Sequence, residues 1–203
     1  MHLVTEAVIV AVRPHGEHGA IVRALTPGEG VQAGYVRGGK SRRLRPVLVP
    51  GNLVHAEYRA RTEDQLAHLT VDLVRSRGFL LSEPLAAAGL EWACALTAAA
   101  LPEGQPYPRL YDGLEGLLAA IEAAPSARGW AWALVRYELL MLGEAGFGLA
   151  QRPGRLDEQS WEAIRQGLGQ TGRALERDLL TGRQAEVLAA RERLIERLKR
   201  IAG

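Results

Sequence analysis

The spacing of apolar residues changes once along this chain, near residue 80, and that change limits what each half can fold into. From Val4 to about Arg75 apolar side chains recur every second residue, in short runs separated by turn formers. Ala7 to Val12 stops at Pro14, Ala20 to Leu25 at Pro27-Gly28, and Val31 to Val36 at Gly38-Gly39; after Pro50-Gly51 come Leu53 to Ala60 and then Leu66 to Val74. Such alternation buries one face of a strand, and five short strands so closely spaced predict a small barrel. An OB-type five-stranded, partly open barrel is the leading arrangement, since its strand face and loops suit oligonucleotides; an SH3-like barrel is the alternative.

Beyond Ser82 Leu and Ala dominate, all four Trp appear, and apolar residues recur at three and four, which is helical spacing. Pro84 to Leu101 reads as a helix closed by Pro102, and Pro108 to Ala124 as a second closed by Pro125. Ser126 to Glu144 is apolar on nearly every side except at Arg136, Glu138 and its ends, so it is expected to be the central buried helix, stopped by Gly146-Phe147-Gly148. A loop at 149–156 containing Pro153-Gly154 then leads to helices at about 157–167, 171–180 and 184–201. The expected fold class is therefore α+β, an OB-type barrel over residues 1–77 followed by an all-α domain over 78–203.

With 203 residues, 47% of them hydrophobic, the chain has ample material for a core. A single cysteine, Cys94, excludes an internal disulfide and a multi-cysteine zinc site. It sits in Leu-Glu-Trp-Ala-Cys-Ala-Leu and is expected to be a buried small hydrophobe. The apolar run at Ala7 to Val12 has no basic leader and is a strand, and the Ala-rich stretch from Leu85 to Leu101 contains Glu91 and falls short of a membrane span. A soluble, cytoplasmic protein is expected, with no membrane contact.

Charge marks the functional candidate. No acidic residue occurs between Glu29 and Glu57, yet Arg37, Lys40, Arg42, Arg43 and Arg45 place five cations in nine positions among Gly38, Gly39 and Ser41. Arg offers a planar fork of donors matched to phosphate, and small residues let backbone N–H groups approach an anion. Arg makes up 23 of the 25 basic residues, so a compositional bias toward Arg is the bland account of this run. Against it, the surplus is local: residues 1–77 hold 11 Lys+Arg against 7 Asp+Glu, whereas 78–203 hold 14 against 16. The loop is therefore expected to grip a nucleic-acid backbone, with Arg13 and Arg23 as weaker candidates and Tyr35 and Tyr58 as strand aromatics able to stack on a base.

Catalytic patterns are scarce. His15 and His18 have no companion carboxylate or cysteine at metal-ligand spacing, and no Gly-x-Ser-x-Gly elbow occurs. Gly34 and Gly39-Lys40-Ser41 do satisfy the letters of a Walker A loop, but that loop needs a helix directly after it, and Pro46 and Pro50-Gly51 interrupt one. No catalytic residue, metal or cofactor is expected, and nucleotide hydrolysis is a minor alternative.

Three stretches carry a family resemblance: Ala11-Val12-Arg13-Pro14-His15-Gly16-Glu17 with Ala20-Ile21-Val22; Val36 to Pro46 leading to Pro50-Gly51-Asn52; and Val135-Arg136-Tyr137-Glu138-Leu139-Leu140 followed by Gly146-Phe147-Gly148-Leu149. Thr171 to Glu176 and Arg191 to Ile195 add a weaker match. In order and separation these resemble the bacterial DNA repair protein family RecO. The resemblance implies an N-terminal OB fold, a helical C-terminal domain, and binding of single- and double-stranded DNA without catalysis. It also implies strand annealing, cooperation with RecR in loading RecA onto strands coated by single-strand-binding protein (SSB), and nucleoid association. It further implies that the helical domain holds the acidic, hydrophobic SSB tail, with Arg136 as the candidate contact or, alternatively, an ion partner near Glu138. One departure is visible: relatives usually insert a longer segment after Gly-Phe-Gly-Leu, where this chain has only Gln151-Arg152-Pro153-Gly154. A rival reading from another class is a protein-interaction adaptor whose barrel contacts an acidic partner.

Overall fold

A computed structural model describes residues 2–62, 65–124, 126–148 and 160–202. Its first strand, β1 (His2–His15), is long enough to serve two neighbours. Residues 8–15 pair antiparallel with β2 (Gly19–Thr26), and residues 2–8 pair antiparallel with β4 (Leu53–Arg59). A register shift between Ile9 and Ala11 lies between the two halves, where an irregular residue lets the strand bend. β3 (Gly30–Val36) follows β2 in a hairpin, and β5 (Ala67–Arg75) pairs with β4. A short parallel pairing, Gly34 with Ala67 and Tyr35 with His68, closes the barrel in the order β1-β2-β3-β5-β4. This is the OB-type arrangement, closed rather than partly open.

Period-two alternation sorts the side chains as the pattern requires. On β4, Val54, Ala56 and Tyr58 are buried, while His55 and Arg59 are exposed. On β5, Ala67, Leu69 and Val71 face inward. They meet Ala7, Ile9, Ala20, Val22, Ala24 and Val36 in one core.

The chain divides into two compact units, residues 1–81 with 101–111, and residues 82–100 with 112–203. In the second unit lie α1 (Pro84–Ala100), most of α2 (Pro108–Ala123), α3 (Arg128–Glu144), α4 (Trp161–Ala174) and α5 (Leu188–Ala202). Pro84 and Pro108 open their helices, where a missing N–H costs nothing. Gly146, at φ +86°, ends α3, and the Phe147 N–H returns to Leu142 O at 2.8 Å. Cys94 is buried, as expected. No helix of the described residues is long and apolar enough to cross a membrane.

One reading of the helical half needs correction. The loop at 149–156 and the helix start at 157 lie outside the described residues, but the two helices expected at about 157–167 and 171–180 form one element. α4 runs unbroken through Gly169 and Gln170 and continues as a π turn over Leu175–Leu179. Glycine serves packing here, not a break: a Cβ on Gly167 would lie 2.7 Å from Val135 Cγ1, so the bare backbone lets α4 approach α3. A charged pair is buried in this half as well. Arg191 of α5 is buried against Glu138, which has no exposure at all. Arg191 Nε donates to Glu138 Oε1 at 2.9 Å and Nη2 to Oε2 at 3.0 Å and to Leu168 O at 2.6 Å. Trp92 Nε1 donates to Glu138 Oε1 at 2.8 Å, and the Thr171 hydroxyl donates to Oε2. One carboxylate thus ties α1, α3, α4 and α5 together, every lone pair directed at a donor as a buried charge requires.

Candidate nucleic-acid interface

The cationic segment leaves β3 at Val36 and is held as a folded loop. Gly38 adopts φ +68°, a conformation that side chains disfavour. Gly39 lies so close to β2 that an added Cβ would sit 2.8 Å from Ala20 Cβ and 3.2 Å from Leu48 Cδ1. Lys40 joins the loop to the β1–β2 turn twice, its N–H donating to His18 O at 3.1 Å and its Nζ to Gly16 O at 2.7 Å. Ser41 O accepts from the N–H groups of Leu44 and Arg45, and Leu44 O accepts from those of Val47 and Leu48. These are single turns, and no helix follows Ser41. The helix N-terminus that a Walker A loop aims at its phosphates is therefore missing.

Two residues that the sequence reading did not assign a role pin the far end of the loop. Asn52, fully buried, donates through Nδ2 to Pro46 O and Val47 O, both at 3.0 Å. Its Oδ1 accepts from the Arg77 N–H at 2.7 Å. Arg77, also fully buried, donates through Nη1 to Gly51 O at 2.8 Å. Leu44, Val47 and Leu48 meanwhile pack on the barrel core. The sequence signal was Pro50-Gly51-Asn52, an obvious turn whose asparagine reads as a turn residue until its buried partners are seen.

This scaffold carries Arg37, Lys40, Arg42, Arg43 and Arg45, all exposed. The guanidinium groups of Arg37, Arg42, Arg43 and Arg45 make no hydrogen bond or ion pair with any described residue. Two other barrel cations, Arg59 and Arg23, are compensated. Arg59 pairs with Glu57, whose carboxyl is held below the usual carboxylate range by hydrogen bonds from His2 and Arg59. Arg23 is half-buried, with its Nε 3.0 Å from Glu103 Oε1 and its Nη2 donating to Leu101 O, so it is not free to meet a phosphate. Arg13 remains exposed on β1, in cross-strand register with Ile21 and, through it, Tyr35.

The aromatic candidates separate. Tyr35 is partly exposed, lying across Gly19 with the His15 ring edge-on at 5.9 Å between centroids. Tyr58 is a correction: it is 0% exposed, because the β4 register turns it into the barrel, where its ring packs beside Gly34. Burial pushes its phenol well above the ordinary range, and its hydroxyl has no hydrogen-bond partner among the described residues. A base cannot reach it. On α3, Arg136 is exposed and unpaired with any described residue, and Glu138 is satisfied by Arg191 instead.

Both parts of the chain also match a known protein family. The family model described as Recombination protein O N terminal matches residues 1–77, and Recombination protein O C terminal matches 81–152. The chain belongs to the RecO family. The DNA repair protein RecO of Rhodospirillum centenum is 37% identical over 243 aligned positions, covering 98% of this chain and 96% of that protein. The Rhodospirillum rubrum protein of the same name is 44% identical over 147 positions, 70% of this chain and 58% of its own length. That of Phenylobacterium zucineum is 40% identical over 182 positions, 87% of this chain and 72% of its own. An alignment of 243 positions against 203 residues means that this RecO family member skips at least 40 positions present in its R. centenum relative.

Proposed function

We propose that this chain acts in DNA repair as a non-enzymatic recombination mediator that binds single- and double-stranded DNA through Arg37, Lys40, Arg42, Arg43 and Arg45, with Arg13 and Tyr35 beside them. The observation that carries this reading is the set of four exposed guanidinium groups with no partner among the described residues, on a loop held in place by the hydrogen bonds of the buried Asn52. Unpaired cations at a surface are an energetic invitation to phosphate, because binding releases counterions and forms charge-assisted forks. A loop that neutralises phosphates of two strands at once lowers their mutual repulsion, which favours annealing. Family membership supports the further steps, cooperation with RecR and loading of RecA onto strands coated by SSB, with Arg136 meeting the carboxylates of the SSB tail.

A strand-annealing assay with and without SSB tests this. Wild-type protein should accelerate annealing of complementary strands, and the variant with alanine at all five loop positions should return to the spontaneous rate while unfolding as the wild type does. A variant that anneals normally would exclude the loop. Binding of an SSB tail peptide without binding of DNA at moderate salt would favour the adaptor reading.

A further inference from the structure

Beside the cationic loop lies a half-open cavity of about 420 Å³ lined by Val12, Pro14, Ala20, Gly39, Lys40, Arg45 and Leu48, with Ala20, Gly39 and Leu48 buried at its floor. Its walls come from three places that the fold brings together: the end of β1, the start of β2, where Pro14 and Ala20 are a cross-strand pair, and the folded loop itself. Four of the seven linings are apolar side chains. Lys40 and Arg45 are the exposed cations of the lining, Lys40 oriented by its bond to Gly16 O and Arg45 with no partner among the described residues.

We infer that this cavity receives one unpaired nucleobase of a single strand, with the flanking phosphates on Arg45 and Lys40. The inference rests on the DNA-binding reading above and adds a site to it. Its volume falls within the roughly 300–1,000 Å³ of small-molecule pockets. Its wall chemistry suits a flat apolar face, and its rim charge suits the phosphates that every base carries on either side. Val12, Pro14, Ala20 and Leu48 offer no hydrogen-bonding side chain to read a base edge, so occupancy is tolerant of sequence. A base paired in a duplex is not available to enter. The cavity therefore gives this loop a preference for single strands that charge alone does not supply, because duplex DNA presents the denser phosphates.

The test compares fluorescence anisotropy of an oligothymidylate with a fully abasic strand of equal length and charge, using wild-type protein, Val12→Phe and Pro14→Phe. Pro14 is exposed at the rim, so Pro14→Phe fills the cavity without replacing a core residue. The wild type should bind the intact strand at least about five-fold more tightly than the abasic one, the low end of the range for base stacking, since no aromatic ring lines the cavity. Both filled variants should lower the preference for the intact strand, leaving only what Tyr35 supplies, and leave abasic and duplex affinities unchanged. Equal wild-type binding of intact and abasic strands, or a preference as large in Pro14→Phe as in the wild type, overturns the pocket alone. Binding of neither strand overturns the parent reading with it. A filled cavity that spares the intact strand but abolishes binding of an Asp-Asp-Asp-Phe peptide overturns it in favour of a peptide site.

Discussion

Asn52→Ala removes no charge from the cationic loop, yet it should loosen both the loop and the barrel. The Asn52 amide makes three hydrogen bonds, two to Pro46 O and Val47 O and one from the buried Arg77 N–H. Pro46 is exposed and Val47 partly so, so water can replace those donors, and each loss costs about 0.5–1.5 kcal/mol. The Arg77 N–H is inaccessible, and losing its acceptor costs about 1–3 kcal/mol. The sum, allowing for relaxation, is about 2–4 kcal/mol. Hydrogen exchange reads it locally: globally protected amides of β1 to β3 should exchange roughly 30- to 900-fold faster, while those of α3 keep their rates. Asn52→Asp keeps the acceptor but sets a carboxylate against two carbonyls, so it should rescue nothing. DNA affinity should fall with an unchanged salt slope, since every cation remains. Barrel amides that exchange within threefold of wild type in Asn52→Ala would refute the anchoring role.

Three further outcomes follow from the packing. Tyr58→Phe deletes a buried hydroxyl without a partner, so urea unfolding should show stability unchanged or raised by up to about 1 kcal/mol, with DNA affinity unaltered. Burial raises the phenols of both Tyr58 and Tyr137 above their ordinary value of 10.0. The folded state then holds protons that the unfolded state releases, so this contribution is full below about pH 10 and is lost as pH rises beyond it; a pH series of unfolding midpoints should fall there, less steeply in Tyr58→Phe. Glu138→Ala leaves Arg191 buried and unpaired and should cost about 3–5 kcal/mol by denaturant unfolding, whereas Glu138→Leu with Arg191→Met should recover most of that loss.

The barrel was legible because alternation is a local signal: Ala56, Tyr58, Leu69 and Val71 announce an inner face without knowledge of their partners. The cationic loop was legible for the same reason, as five charges in nine residues need no tertiary context. What failed depended on contacts distant in sequence. Tyr58 read as a stacking candidate although alternation sets it on the inner face, because tyrosine commonly keeps its hydroxyl at the surface, and the room for its full burial comes from Gly34, 24 positions away. Arg23 read as free because its partner, Glu103, lies 80 positions away, and nothing near Arg191 in sequence announced its pairing with Glu138, 53 positions away. Gly167 read as part of a helix boundary, although glycine marks a close approach as readily as a break. Asn52 and Arg77 were silent for a related reason, since a buried polar anchor is spelled with the same letters as an ordinary turn.

The central claim is that the loop meets phosphates directly, and the dependence of DNA affinity on salt tests it most closely. For wild-type protein and for the variant with alanine at residues 37, 40, 42, 43 and 45, the logarithm of the binding constant is measured against the logarithm of salt concentration. Each true contact contributes about 0.7–0.9 to the slope, so loss of all five should lower it by about 3.5–4.5. A variant whose slope equals that of the wild type would contradict the account.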